Sequence, residues 1–145
     1  MPSLVLSVPL VLLIVASICD LRTREVPDWI SASILAWAAA VAATGCNGAS
    51  FVGLGMGLAL GFCVGSLFFA LGALGGADVK LLAALGAVTG PAGLVSLLLW
   101  VALAGGVLSL VAAARRQRNL AYVPAIAVGL FIYLVRNEAW NVWHR

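Results

Sequence analysis

The chain has 145 residues, of which 64% are hydrophobic and 9% are charged, and its formal net charge is +3. Its mean hydropathy of +1.17 leaves too little polar surface for a soluble domain, so the composition indicates an integral membrane protein. The eight Lys and Arg are too dispersed for a nucleic-acid interface. The long apolar runs exclude transmembrane β-strands, which alternate over about ten residues.

The apolar runs predict an all-α polytopic membrane protein with about six transmembrane helices in a single domain, residues 1–145. The expected spans are Leu4–Cys19, Trp29–Thr44, Phe51–Leu74, Val79–Thr89, Ala92–Ala114 and Leu120–Val135. The fourth span is short, because a full crossing needs roughly 20 residues. We leave open whether it is tilted, bordered by a re-entrant segment, or extended backwards through Asp78. Gly90-Pro91 marks the turn that follows it.

Four glycines recur at four-residue spacing in the third span, at Gly53, Gly57, Gly61 and Gly65. Their side chains are single hydrogens on one helical face, so another helix can approach closely there. Tight helix packing is the favoured interpretation, and a ligand groove or hinge is the weaker one.

The positions of the basic residues indicate the membrane topology. Most of them fall in alternate connections, namely Arg22, Arg24, Lys80, Arg115, Arg116 and Arg118. The positive-inside rule assigns these connections to the cytoplasm. Six crossings then leave both termini outside. Asp20 and Asp78 would both reach the cytoplasmic boundary, although 58 positions separate them.

Few side chains are available to bind a metal. The three cysteines, Cys19, Cys46 and Cys63, contain no C-x-x-C pair, and His144 is the single histidine. We expect no metal site and no cofactor.

Asp20 and Asp78 are the candidate catalytic residues. Carboxylates at membrane depth are costly and usually serve function. Two carboxylates in one site titrate apart, so one can act as base while the other acts as acid. Gly75 and Gly76 would let backbone or substrate approach Asp78 closely.

Each aspartate also has a structural alternative. Asp20 could be an interfacial residue paired with Arg22 or Arg24. Asp78 could be a helix N-cap whose oxygen accepts a first-turn amide.

Two segments carry a family resemblance. Asp20-Leu21-Arg22-Thr23-Arg24-Glu25-Val26-Pro27-Asp28 is similar to a D-x-R-x-x-x-[IV]-P-N pattern, and Gly75-Gly76-Ala77-Asp78-Val79-Lys80-Leu81 is similar to G-x-G-D-x-K-L. Both patterns are typical of the type IV prepilin peptidases, which are membrane-embedded aspartic proteases. Tyr122-Val123-Pro124-Ala125-Ile126-Ala127 is a third similarity. The small size most resembles the minimal peptidases of tight-adherence (Flp-type) pilus systems.

The resemblance implies that Asp20 and Asp78 are the catalytic pair. It implies supporting or substrate-binding roles for Gly75, Gly76, Lys80, Arg22, Pro27, Tyr122 and Pro124. The implied substrate is a prepilin or pseudopilin precursor, cut after its short basic leader. The implied location is the inner (cytoplasmic) membrane, with several crossings and the site facing the cytoplasm. Nothing in the chain matches the separate methyltransferase domain of larger members.

The chain departs from the family patterns at two positions. Ala77 stands where the second pattern has its second glycine, and Asp28 stands where the first has asparagine. We expect Asp28 to cap a helix beginning at Trp29. For Lys80 we hold two interpretations equally: it acts at the site, on an acidic substrate residue or on Asp78, or it reaches towards lipid headgroups.

Two other function classes remain as alternatives. A small ion-coupled transporter would use the carboxylates to bind or relay cations and would depend on an ion gradient. A non-catalytic assembly subunit would use the glycine face for helix partners and would tolerate loss of either aspartate. The expected partners are the precursor and the lipid bilayer, with homo-oligomerisation left open and no nucleic acid.

Overall fold

The computed structural model describes residues 2–23, 25–45, 49–114 and 122–143, and all regular elements in these ranges are α-helices. They are α1 (Pro2–Thr23), α2 (Asp28–Thr44), α3 (Phe51–Ala70), α4 (Gly76–Ala114) and α5 (Val123–Trp143). The all-helical prediction is therefore confirmed. The basic residues Arg24, Arg115, Arg116 and Arg118, on which the topology prediction rests, lie outside the described residues, as does Cys46.

Helix α1 continues beyond its expected end at Cys19 and finishes at Thr23. Asp20 therefore lies within the last turn of α1 and does not follow it. The Thr23 hydroxyl donates to the Cys19 carbonyl oxygen at 2.9 Å, within this turn. The apolar run ends earlier than the helix because Leu21 and Arg22 are good helix formers whatever their hydropathy.

Helix α3 ends at Ala70, four residues before the expected Leu74. The Gly72 N–H donates to the Phe69 carbonyl at 2.9 Å, and the Ala73 N–H donates to the Phe68 carbonyl at 2.9 Å. This pair of bonds is a Schellman motif, and Gly72 supplies its left-handed residue with φ 72°. Glycine adopts that conformation without a steric penalty, so the helix stops here although the sequence stays apolar.

Helix α4 is broken at Gly90, whose φ of 69° and ψ of 175° are not helical. A Cβ built on Gly86 would lie 3.0 Å from a methyl group of Leu94. In a straight helix these two positions would be about 12 Å apart, so the chain folds back at the break. We call residues 76–89 the first arm and residues 91–114 the second arm. The described chain thus holds six helical segments.

The first arm begins at Gly76, so the short fourth span does extend backwards through Asp78. Even so, its 14 residues reach only about 21 Å. Among the described residues, three stretches are long and apolar enough to cross a membrane, Val5–Thr23, Phe51–Ala70 and Gly76–Val111, the last of which contains the break at Gly90. Asp28–Thr44 and Val123–Arg136 are shorter apolar helices.

The glycine face of α3 packs against the first arm of α4. A Cβ on Gly57 would collide with the backbone carbonyl of Gly86, and a Cβ on Gly61 would lie 2.5 Å from the carbonyl oxygen of Leu82. Gly65 would meet the Cα of Val79 at 3.1 Å. Tight packing is therefore confirmed for these three glycines. Gly53 differs, because its nearest neighbour is the N-cap hydroxyl of Ser50.

The apolar core joins both arms of α4 to α1, α2 and α5. Its largest fully buried side chains include Leu13, Ile30, Ile34, Leu81, Leu85, Leu94, Leu97, Ile126 and Leu130. The Trp37 indole N–H also donates to the Val5 carbonyl at 2.8 Å, which ties α2 to the start of α1.

Substitution of Gly57 by alanine should destabilise the protein by about 1–3 kcal/mol, because the new methyl group has to push α4 away. Gly55→Ala in the same helix is the matched control. A Cβ on Gly55 meets nothing within 4 Å, so alanine should stabilise by up to about 1 kcal/mol through helix propensity. Unfolding of both variants in detergent would measure the difference, and equal stabilities would contradict the packing described here.

Candidate active site

Asp78 is the third residue of α4, and it is the one buried charged residue among the described side chains, at 7% exposure. Its Oδ2 accepts a hydrogen bond from the Gly75 N–H at 3.1 Å. Gly75 occupies the cap position and has no side chain with which to cap the helix. The Asp78 side chain therefore accepts the N–H of Gly75 from the first turn, as the side chain at position N3 of a capping box does. This bond fixes the orientation of the carboxylate.

Asp20 lies in the last turn of α1 and is partly buried. Its Oδ2 is fully buried and has no hydrogen-bond partner among the described residues. A buried acceptor without a donor costs on the order of 1–3 kcal/mol. Native proteins keep few such atoms, and each calls for an explanation. The Oδ2 atom is therefore free to take a proton or a hydrogen bond from a bound molecule.

The structure brings Asp20 and Asp78 together. The two carboxylates lie within range of each other's electrostatic field, although they belong to the end of α1 and the start of α4. This arrangement has the elements of an acid–base pair: one carboxylate is held by a backbone amide, and the other has an oxygen with no partner in the described ranges.

Tyr122 lies immediately before α5 at the same end of the bundle. Its carbonyl accepts the Ala125 N–H at 2.9 Å, which anchors its backbone to the first turn of α5. Burial raises the pKa of the Tyr122 hydroxyl above its ordinary value, and the negative charge of Asp78 raises it further. Pro124 stands in the first turn, where a missing N–H costs no intrahelical bond, so it does not kink the helix.

The structure corrects the expected role of Asp28. Helix α2 begins at Asp28, with Pro27 in the cap position, and no side chain caps the helix. Asp28 instead forms an ion pair with Lys80, with 2.7 Å between its Oδ1 and the Lys80 Nζ. Lys80, the fifth residue of α4, thus links this helix to the start of α2, and its two expected interpretations stay predictions. Both side chains are largely exposed, which limits the strength of the pair.

The remaining expected residues are less constrained. Arg22 is exposed and forms no ion pair within the described ranges, so pairing of Asp20 with Arg22 is not seen. Gly75 and Gly76 are exposed, and a Cβ on Gly76 would have its nearest neighbour, on Phe69, 3.9 Å away. In the part of the chain that the structure describes, no group of three His, Cys, Asp or Glu could hold a metal ion.

Gly105, in the second arm, makes a contact with Tyr122 that the sequence did not predict. A Cβ built on it would lie 2.6 Å from the Tyr122 hydroxyl oxygen. The adjacent pair Gly105-Gly106, inside an apolar run, was the available signal, although a pair of glycines alone does not identify a contact with Tyr122.

A comparison with known families assigns the chain to one of them. The sequence profile of the type IV leader peptidase family matches residues 7–110, which is well over half of the chain, and the chain therefore belongs to this family. The matched region contains both Asp20 and Asp78 and ends before Tyr122. No curated protein and no solved structure matches the chain.

The Asp28–Lys80 pair should contribute only about 0.2–1 kcal/mol, because both side chains are solvent-exposed. A double-mutant cycle of Asp28→Asn and Lys80→Gln, followed by thermal unfolding in detergent, should give a coupling energy in this range. The coupling should fall at high salt, since exposed charges are screened. A coupling of several kcal/mol that does not respond to salt would mean that the pair is shielded from solvent, contrary to its exposure.

Proposed function

We propose that this member of the type IV leader peptidase family is an aspartic endopeptidase of the membrane, which removes the short basic leader from prepilin-like precursors. The main support is the proximity of Asp20 and Asp78 at one end of the helices, with a buried oxygen on Asp20 that has no hydrogen-bond partner among the described residues. The family match supports the protease class.

Hydrolysis follows from general acid–base chemistry. The ionised carboxyl takes a proton from water while the water oxygen attacks the peptide carbonyl carbon, and the protonated carboxyl hydrogen-bonds the carbonyl oxygen. The C–N bond of the resulting tetrahedral species then breaks, and the leaving amine receives a proton from the pair. No covalent intermediate with the enzyme forms in this scheme. Every proton moves between water, substrate, Asp20 and Asp78.

The proposed substrate is a prepilin or pseudopilin precursor, cut at the cytoplasmic face of the inner membrane. Arg22 and Lys80 lie at the same end as the two aspartates, which agrees with the positive-inside rule. Within this proposal the substrate is a tight-adherence (Flp-type) pilin precursor, following the resemblance to the minimal peptidases of those systems.

The proposed activity is leader cleavage alone, with no methyl transfer and no cofactor. Two carboxylates can activate water without a metal. The chain lacks the paired cysteines that the larger, bifunctional members carry. No feature of the described residues favours the ion-coupled transporter or the non-catalytic assembly subunit.

Asp20→Asn and Asp78→Asn should each lower leader cleavage by at least about 100-fold, because each removes the ionisable group while keeping the side-chain shape. Asp28→Asn is the matched control, since it makes the same chemical change within the same segment at an exposed carboxylate that pairs with Lys80. It should keep most activity.

The assay would use the purified full chain and a precursor with a basic leader, a glycine and a hydrophobic helix. Products would be separated on gels and weighed by mass spectrometry, in chelator and without a methyl donor. Normal cleavage by either Asn variant of the pair would rule out the mechanism. Loss of wild-type cleavage in chelator would rule out its metal independence.

The topology is tested by single-cysteine labelling in intact cells, in a background cleared of Cys19, Cys46 and Cys63. An impermeant reagent should label Asn47→Cys and Val142→Cys from outside, and it should not label Gln117→Cys until the membrane is permeabilised. Labelling at position 117 in intact cells would place the site on the opposite face and would exclude the cytoplasmic assignment.

A further inference from the structure

The Tyr122 ring lies directly on the backbone of the second arm. A Cβ built on Gly105 would come within 2.6 Å of the tyrosine Oη, 2.9 Å of Cζ and 3.0 Å of Cε2. Real Cβ atoms essentially never approach other heavy atoms below 3.0 Å, so the ring occupies a place that only glycine leaves free. Gly105 is itself buried, so this contact belongs to the interior of the bundle.

The Tyr122 hydroxyl lies within range of the electrostatic field of Asp78, and the ring packs against the apolar core. The hydroxyl forms no hydrogen bond with any described residue. Tyr122 therefore contributes the bulk of its ring to this end of the bundle, between the second arm and the start of the first.

We propose that Gly105 is a positioning residue for peptide cleavage, which acts by leaving room for the Tyr122 ring to lie against the second arm and close one wall of the site next to Asp78. This inference rests on the proposed function. The wall limits how water and the scissile peptide can lie relative to the two carboxylates. Small displacements of such a wall are costly, since a misplacement of about 1 Å can slow an enzyme by about 100-fold.

The second arm offers a matched pair of variants. Gly105→Ala would place a methyl group where the Tyr122 ring lies, whereas a Cβ on the neighbouring Gly106 meets nothing within 4 Å. Both changes replace a helical glycine by alanine, so both carry the same gain in helix propensity. The tyrosine side chain can rotate away from the new methyl group, so Gly105→Ala should still fold and insert.

Gly105→Ala should lower kcat on the precursor by about 10- to 100-fold, with a smaller change in KM, because the groups that bind the remote leader are unaffected. Gly106→Ala should cleave as the wild type does. The double variant Gly105→Ala with Tyr122→Ala should be no slower than Tyr122→Ala alone, because no ring remains to be displaced. If the loss of activity in the double variant equalled the product of the two single losses, the inference would be overturned, since Gly105 would then act independently of Tyr122.

A second measurement needs no catalysis. The chain has two tyrosines, so in a Tyr133→Phe background the ultraviolet absorbance of the phenolate reports on Tyr122 alone. Tyr122 should titrate above the ordinary tyrosine value, since burial and the negative charge of Asp78 both favour the neutral phenol. Gly105→Ala should move this titration back towards the ordinary value, and Gly106→Ala should not. An unchanged titration in Gly105→Ala would overturn the inference.

The two proposals fail in different ways. If the wild type cleaves and Gly105→Ala matches Gly106→Ala, the positioning role is wrong and the peptidase assignment stands. If the wild type cleaves no precursor, the peptidase assignment is wrong, and the positioning role is lost with it.

Discussion

The close backbone contact between α3 and the first arm of α4 is the constraint on which the site depends. Three glycines of α3 let the two helices approach closely, at Gly57, Gly61 and Gly65. The last of these touches Val79, the residue after Asp78. The contact therefore sets the depth and rotation of the helical turn that carries the buried carboxylate. Such packing has little tolerance for added volume, because its partners are backbone atoms that cannot adopt another rotamer.

The two buried carboxylates of the site lower the stability of the fold. Asp78 is buried with one backbone donor, and a buried oxygen of Asp20 has no donor within the described ranges. Both arrangements cost free energy relative to carboxylates in water. Close van der Waals packing of the helices supplies the opposing term, as at the glycine contacts between α3 and α4, because lipid tails are as apolar as the buried leucine and isoleucine side chains. The fold can therefore hold two carboxylates that are only partly satisfied, which is the state in which they can exchange protons with a substrate.

Sequence patterns predicted those features that depend on local chemistry. Hydropathy indicated the helices, glycine spacing indicated the packed face of α3, and the charge distribution placed Asp20 and Asp78 at one end. Helix ends were predicted less well, since apolar runs and helices end for different reasons at Thr23 and Ala70. The Asp28–Lys80 pair joins positions 52 apart. The sequence around a carboxylate at the start of a helix does not show whether it caps that helix or pairs with a distant lysine. The contact of Gly105 with Tyr122 likewise depends on the turn at Gly90.

That turn also bears on how the chain enters a bilayer. The first arm reaches about 21 Å, less than the hydrocarbon thickness of about 30 Å, and it carries Asp78 and Lys80 near its start. During synthesis this arm emerges ahead of the second arm and is poorly suited to partition into lipid on its own. The two arms together form one apolar helical hairpin, so we expect the first arm to insert together with the second, which is long enough to span on its own. On this view the depth of Asp78 in the bilayer depends on residues that follow it in the chain.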